Sequence, residues 1–215
     1  MDEHREKSFE KRQELIDAAL IEFGERGYEN ASLNNILKEA GVGKGTFYYH
    51  YRNKEDLYMQ LIDIIVEEKL AFISNEMTTI EGNEDIFTKL KIMIKTGMKF
   101  AHRNPLVNTF SQSFIKESGT QDHNKRMEKY YKQRESFLEE LSKKYGFEST
   151  DYVGDLIQEA YRKKEIREDL PRDFVYKIIN YLLFNLQSII NTGNLEEYEM
   201  AANHLVDFLK DGLGN

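Results

Sequence analysis

Residues Ser32 to Lys54 read SLNNILKEAGVGKGTFYYHYRNK. Leu33, Ile36, Leu37 and Ala40 fall at i, i+3, i+4 and i+7, the spacing of one helix face. Ser32 stands where a helix N-cap belongs. Gly41 closes this helix after two turns, and a second short helix holds Lys44 to His50. Two short helices joined by a tight glycine turn make a helix-turn-helix arrangement. Leu33, Ile36, Leu37, Ala40, Val42, Phe47 and Tyr51 are the residues able to hold the pair together. Left over on the second helix are Lys44, Gly45, Thr46, Tyr48, Tyr49 and His50. Hydroxyls, rings and cations of this kind suit base edges, thymine methyls and phosphates. Tyr48 and Tyr49 cannot both turn inward with Phe47 and Tyr51 on so short a helix, so at least one faces outward.

Charge points the same way. The 215-residue chain has a formal net charge of −8 and a pI near 5.3, so its average surface repels nucleic acid. Residues 1–55 carry 9 Lys+Arg against 11 Asp+Glu. Yet Ala40 to Lys54 holds Lys44, Arg52 and Lys54 and no carboxylate. A local cationic patch on this element is expected to bind phosphates with a strong salt dependence. The helix that starts near Lys54 also offers backbone N–H groups to a phosphate.

Working outward, Leu15, Ile16, Ala19, Leu20 and Phe23 give a preceding helix that ends at Gly24 to Gly27. Downstream the pattern is one of long helices. Breaks fall at Gly82-Asn83, Pro105, Gly119, Gly146, the connector Ile166 to Pro171, and Gly193-Asn194. Only two prolines interrupt the chain, and about ten helices and no strand are expected. The fold class is all-α: a three-helix amino-terminal domain over 1–53 and a larger helical domain over 54–215.

Several functions are excluded by composition. There are no cysteines, which removes disulfides, thiolate zinc sites and cysteine nucleophiles. No apolar run reaches membrane-spanning length, and the charged start, Met1 to Arg12, has no apolar core of a secretory signal, so a cytoplasmic protein is expected. Gly43-Lys44-Gly45-Thr46 superficially suggests a phosphate loop, but Lys38 stands where that motif needs its first glycine. The histidines His4, His50, His102, His123 and His204 show no metal spacing, and neither a metal nor a cofactor is expected. No Gly-x-Ser-x-Gly elbow occurs, and the carboxylates alternate with lysines as on solvated faces. A helical enzyme using His102 or His123 is the rival reading, and no catalytic set of residues supports it.

The helix Phe174 to Ile190 is the most apolar. Val175, Ile179, Leu182, Leu186 and Ile189 step by 4, 3, 4 and 3, a heptad-like seam. Ile178, Leu183 and Ile190 widen the stripe beyond what one core needs. With Leu205 and Phe208 of the last helix, two such helices from each of two chains could form a four-helix dimer interface. The same stripe also fits a buried core helix.

Taken together, Ile16 to Phe23 with Gly27, Ser32 to Ile36, Ala40-Gly41-Val42, Lys44 to Tyr48 and Tyr51 to Leu57 resemble the DNA-binding domain of the TetR family of transcriptional regulators. The likeness covers about 45 residues; Gly43 and Tyr51 depart from the usual serine and phenylalanine. The resemblance implies that Ser32 and Lys54 contact phosphates while Lys44, Gly45, Thr46, Tyr48, Tyr49 and His50 face the major groove of a double-stranded operator. It also implies a homodimer, most simply a repressor on an inverted repeat, released by a small apolar or aromatic ligand. An activator, or a DNA-bound structural protein without a ligand, fits the same residues. Rings and methionines of the middle helices are mostly core. A subset (Met93, Phe100, Phe110, Phe114, Tyr131 and Tyr161) is the expected pocket lining.

Overall fold

The computed structural model describes residues 10–77, 84–146, 151–190 and 194–215. The expected breaks at Gly82-Asn83 and Gly193, and the charged first nine residues, lie outside them. Among the described residues there are ten α-helices and no strand. They are α1 (Arg12–Asn30), α2 (Leu33–Glu39), α3 (Lys44–His50), α4 (Lys54–Met77), α5 (Ile86–Arg103), α6 (Pro105–Glu117), α7 (Gln121–Tyr145), α8 (Tyr152–Arg162), α9 (Arg172–Ile190) and α10 (Leu195–Leu213). The turn residues fall where chemistry puts them. Pro105 opens α6 at a position where its missing N–H costs nothing. Asp151 and Asn194 cap α8 and α10 through side-chain oxygens.

The chain forms two compact units. The first comprises residues 1–67 and 101–133, the second residues 68–100 and 134–215. This division falls inside α4, not at its start, and it places α6 and the first half of α7 with the amino-terminal helices.

In the first unit Leu15, Ala19, Phe23, Ile36, Phe47, Leu57 and Leu61 are almost wholly buried. α1 packs on α2 and α6, and Gly24 lets α6 approach closely: a Cβ there would sit 3.0–3.2 Å from Thr109 and the Phe110 amide. α1 does not stop cleanly at Gly27. It kinks there, at φ 72°, and resumes to Asn30. In the second unit, residues such as Ile86, Leu90, Ile157, Val175, Ile179 and Val206 from α5, α8, α9 and α10 form one apolar core. Ile166 of the connector is fully buried, and it bridges to Gly214 while the Arg167 amide donates to the Leu213 carbonyl at 2.9 Å.

Val175, Ile179 and Leu186, expected in a dimer interface, are buried in this core. A 4-3-4-3 stripe states that a face is buried but not by which chain. Leu182 and Leu205 are half-buried against the same core. Ile189 and Phe208 are exposed, at 50% and 74%, together with Phe174 and Tyr181 on α9 and Met200 on α10.

Candidate nucleic-acid interface

The sequence between α1 and α4 builds the helix-turn-helix. The Ser32 hydroxyl accepts from the Asn35 amide at 3.4 Å and caps α2. The buried Glu22 carboxylate accepts from the Ser32 amide at 2.8 Å and pairs with Arg26 at 3.3 Å. Gly41 turns the chain at φ 62°, a left-handed conformation that strains any other L-residue. The Val42 amide then reaches back to the Leu37 carbonyl at 2.9 Å, and Lys11 donates to the Gly41 carbonyl at 2.9 Å. Position 43 has extended backbone and no side-chain cap for α3.

α3 is anchored by two rings. Phe47 is wholly buried and stacks on Tyr51 at 5.4 Å. The Tyr51 hydroxyl meets Arg12; burial raises its pKa, and the Arg12 charge opposes that rise. With the inner face fixed, Lys44, Gly45, Thr46, Tyr48, Tyr49 and His50 all lie exposed. Tyr48 is 57% and Tyr49 76% exposed, so both tyrosines face outward. Around Gly45 there is open space, which leaves its backbone approachable.

Lys54 also has partners within the protein. Its ammonium donates to the Tyr28 carbonyl at 2.7 Å and the Ala31 carbonyl at 3.0 Å, and stands 4.5 Å from the Tyr28 ring centroid. It caps the carboxyl end of α1, where carbonyls lack partners. Burial lowers its pKa, against the raising influence of Glu29. Without DNA the ammonium, expected at a phosphate, is engaged with the end of α1. Asn53 and Asp56 cap α4 instead: Asn53 accepts from the Asp56 amide and Asp56 from the Arg52 amide, both at 2.9 Å.

A second set of residues supports the head from far along the chain. Arg126 of α7 is buried, lies 3.6 Å above the Tyr28 ring and pairs with Glu29. Glu117 of α6 accepts from the Tyr28 amide at 2.7 Å and stands 3.9 Å from His123. Burial lowers the His123 pKa, which Glu117 partly offsets. His123 thus sits in a packed ion cluster, while His102 is exposed, and no metal-holding group of side chains occurs among the described residues. Nothing in local periodicity pairs Arg126 with Glu29 across 97 residues.

The six expected ligand-lining residues are divided between the two units. Phe110, Phe114 and Tyr131 belong to the first unit and Met93, Phe100 and Tyr161 to the second. Phe110 is buried against Tyr58, with ring centroids 5.3 Å apart. Phe114 meets the His123 ring at 4.6 Å, and Tyr131 is 59% exposed. The Tyr161 hydroxyl donates to the Leu170 carbonyl at 2.7 Å. Phe100 packs on Phe72, and Met93 lies half-buried on the second core.

The model of the bacterial regulatory proteins of the tetR family matches residues 15–61, the stretch that forms α1 to α3 and the start of α4. Residues 15–61 carry the DNA-binding signature of the TetR family. It is a DNA-binding transcriptional regulator. Among its relatives, the fatty acid metabolism regulator protein of Bacillus subtilis is 26% identical over 95% of this chain and 96% of its own. A Staphylococcus aureus HTH-type transcriptional regulator is 43% identical over 27% of this chain and 31% of its own. The crystal structure of the regulator FadR from Bacillus subtilis, in complex with stearoyl-CoA, shares the TetR fold. Its TM-score is 0.65 at 20% identity, covering 93% of this chain and 98% of that one. Among the described residues no helix is long and apolar enough to cross a membrane.

Proposed function

We propose that this TetR-family regulator is a homodimeric repressor of an inverted-repeat operator, released by a small organic ligand bound in its second unit. The observation that carries the reading is the one-sided construction of α3. Phe47 and Tyr51 hold one side, and every side chain on the other is exposed and able to bond. Thr46, Tyr48, Tyr49 and His50 read bases; Lys44 and the Ser32 hydroxyl hold phosphates. Phe174, Tyr181 and Ile189 on α9, with Met200 and Phe208 on α10, are the exposed apolar residues a second copy would cover. Two heads related by a twofold axis would read two half-sites. The stearoyl-CoA held by the Bacillus subtilis FadR structure supports an acyl-type or similarly apolar effector. A ligand preferring the DNA-free conformation would lower operator affinity, and DNA would lower ligand affinity by the same factor.

Fluorescence anisotropy with the duplex upstream of the protein's own gene, against a shuffled duplex at about 150 mM salt, tests the reading. The expected preference is about a hundredfold, saturating at two protomers or four per site. Equal affinity for both duplexes, and for a library of flanking sequence, refutes it.

A further inference from the structure

His123 of α7 is buried, with 4% of its surface exposed, and its Nδ1 has no hydrogen-bond partner. A buried polar atom left in this way calls for a reason. Its ring meets Phe114 edge-on, and the nearest anion is Glu117 of α6. Glu117 divides its carboxylate between two tasks. Oε1 accepts from the Tyr28 amide at 2.7 Å. Oε2 stands 3.9 Å from His123 Nδ1 and 3.8 Å from the Arg126 guanidinium, too far for a hydrogen bond to either.

The charges balance while the ring is neutral. Glu117 and Arg126 face His123, and behind them stand Tyr28 and Glu29 of α1 and Lys54 and Tyr58 of α4. Arg126 and Lys54 oppose Glu117 and Glu29, so a proton on His123 adds a buried positive charge that nothing matches. The imidazolium must donate from Nδ1, and Glu117 is the acceptor within reach. Closing 3.9 Å to a charge-assisted bond of about 2.8 Å moves the carboxylate about 1 Å toward the ring and off the Tyr28 amide. That amide follows the kink at Gly27, from which the chain enters the helix-turn-helix. Burial lowers the ring's pKa from 6.5, which puts the change below neutral pH.

We propose that operator binding by this chain is proton-linked: a proton on His123 draws Glu117 from the Tyr28 amide, loosens the joint at Gly27 and lowers operator affinity as pH falls. The released form binds the proton better than the DNA-bound form, so affinity is present above the His123 midpoint and lost below it. The inference rests on the DNA-binding role and needs no organic ligand.

Anisotropy with a duplex selected from random sequence, at pH 7.5 and 5.5 and constant ionic strength, gives the affinities. Wild type should lose about fivefold or more relative to His123→Gln, within the decade per pH unit that one proton per protomer permits. The ratio cancels whatever His50 adds at the reading face. Glu117→Gln keeps an acceptor for the Tyr28 amide without the charge, and its profile should match that of His123→Gln. Parallel profiles for wild type and His123→Gln overturn the proposal. NMR of the wild-type chain decides the matter if His123→Gln is unfolded. The His123 ring and the Tyr28 amide should titrate with one midpoint, and saturating duplex should move it to lower pH. A midpoint that the duplex does not move overturns the linkage. A Tyr28 amide indifferent to the ring overturns the switch alone, whereas the absence of any preferred duplex overturns it together with the repressor reading.

Discussion

Lys54→Met separates two roles for one cation. The variant keeps the aliphatic stem and removes the ammonium from the Tyr28 and Ala31 carbonyls and from the Tyr28 ring. A hydrogen bond from a charged donor contributes about 1.5–3 kcal/mol when buried. Here the residue is only half-buried and the freed carbonyls can turn to water, so the two bonds together contribute about 1–2 kcal/mol. The ring contact adds about 0.5 kcal/mol. A loss of about 2 kcal/mol in a chain of this length lowers Tm by about 4–8 °C at fixed protomer concentration. Thermal melting followed by circular dichroism reads that term. Operator affinity against salt reads the other, since a lost phosphate contact flattens the logarithmic slope by about 0.9. The expected result is a lower Tm with an unchanged slope. A flattened slope with an unchanged Tm would refute the capping role and return Lys54 to the DNA.

Three further outcomes follow from the same geometry. Tyr48→Ala or Thr46→Ala should lose about 1–3 kcal/mol of operator preference over random duplex, while Lys44→Ala weakens both duplexes alike and flattens the salt slope; competition anisotropy distinguishes them. Because burial holds the His123 pKa below its ordinary 6.5, the unfolded chain takes up the proton first. Stability is therefore present above that value and lost as pH falls below it, and melting between pH 7 and 5 should show a smaller loss in His123→Gln. Phe208→Glu combined with Ile189→Glu should leave monomers in sedimentation velocity at micromolar concentration, and a persistent dimer would place the interface elsewhere.

The reading head was legible because its signals are local. Leu33, Ile36, Leu37 and Ala40 keep a helix period, Ser32 caps, Gly41 turns, and the inward rings Phe47 and Tyr51 leave their neighbours outside. Other placements depend on distant chain. The Lys54 side chain can reach a phosphate or a helix end with equal ease, and only the position of the α1 carbonyls decides. Val175, Ile179 and Leu186 satisfy a coiled-coil spacing and a core helix alike. Phe110 and Phe100 look interchangeable as apolar rings, yet they pack in different units. Arg126 on Tyr28 had no sequence signal, because an arginine on a polar helix reads as solvated until its partner is in place.

At Gly27, a Cβ would lie 2.2 Å from the Glu117 carboxylate oxygen that accepts from the Tyr28 amide, on a backbone already at φ 72°. One added methyl would force the carboxylate away and strain the kink from which the chain enters α2. A genetic selection for derepressed alleles should therefore recover substitutions at position 27. Such alleles would carry a complete set of reading residues on a head that no longer holds its aim.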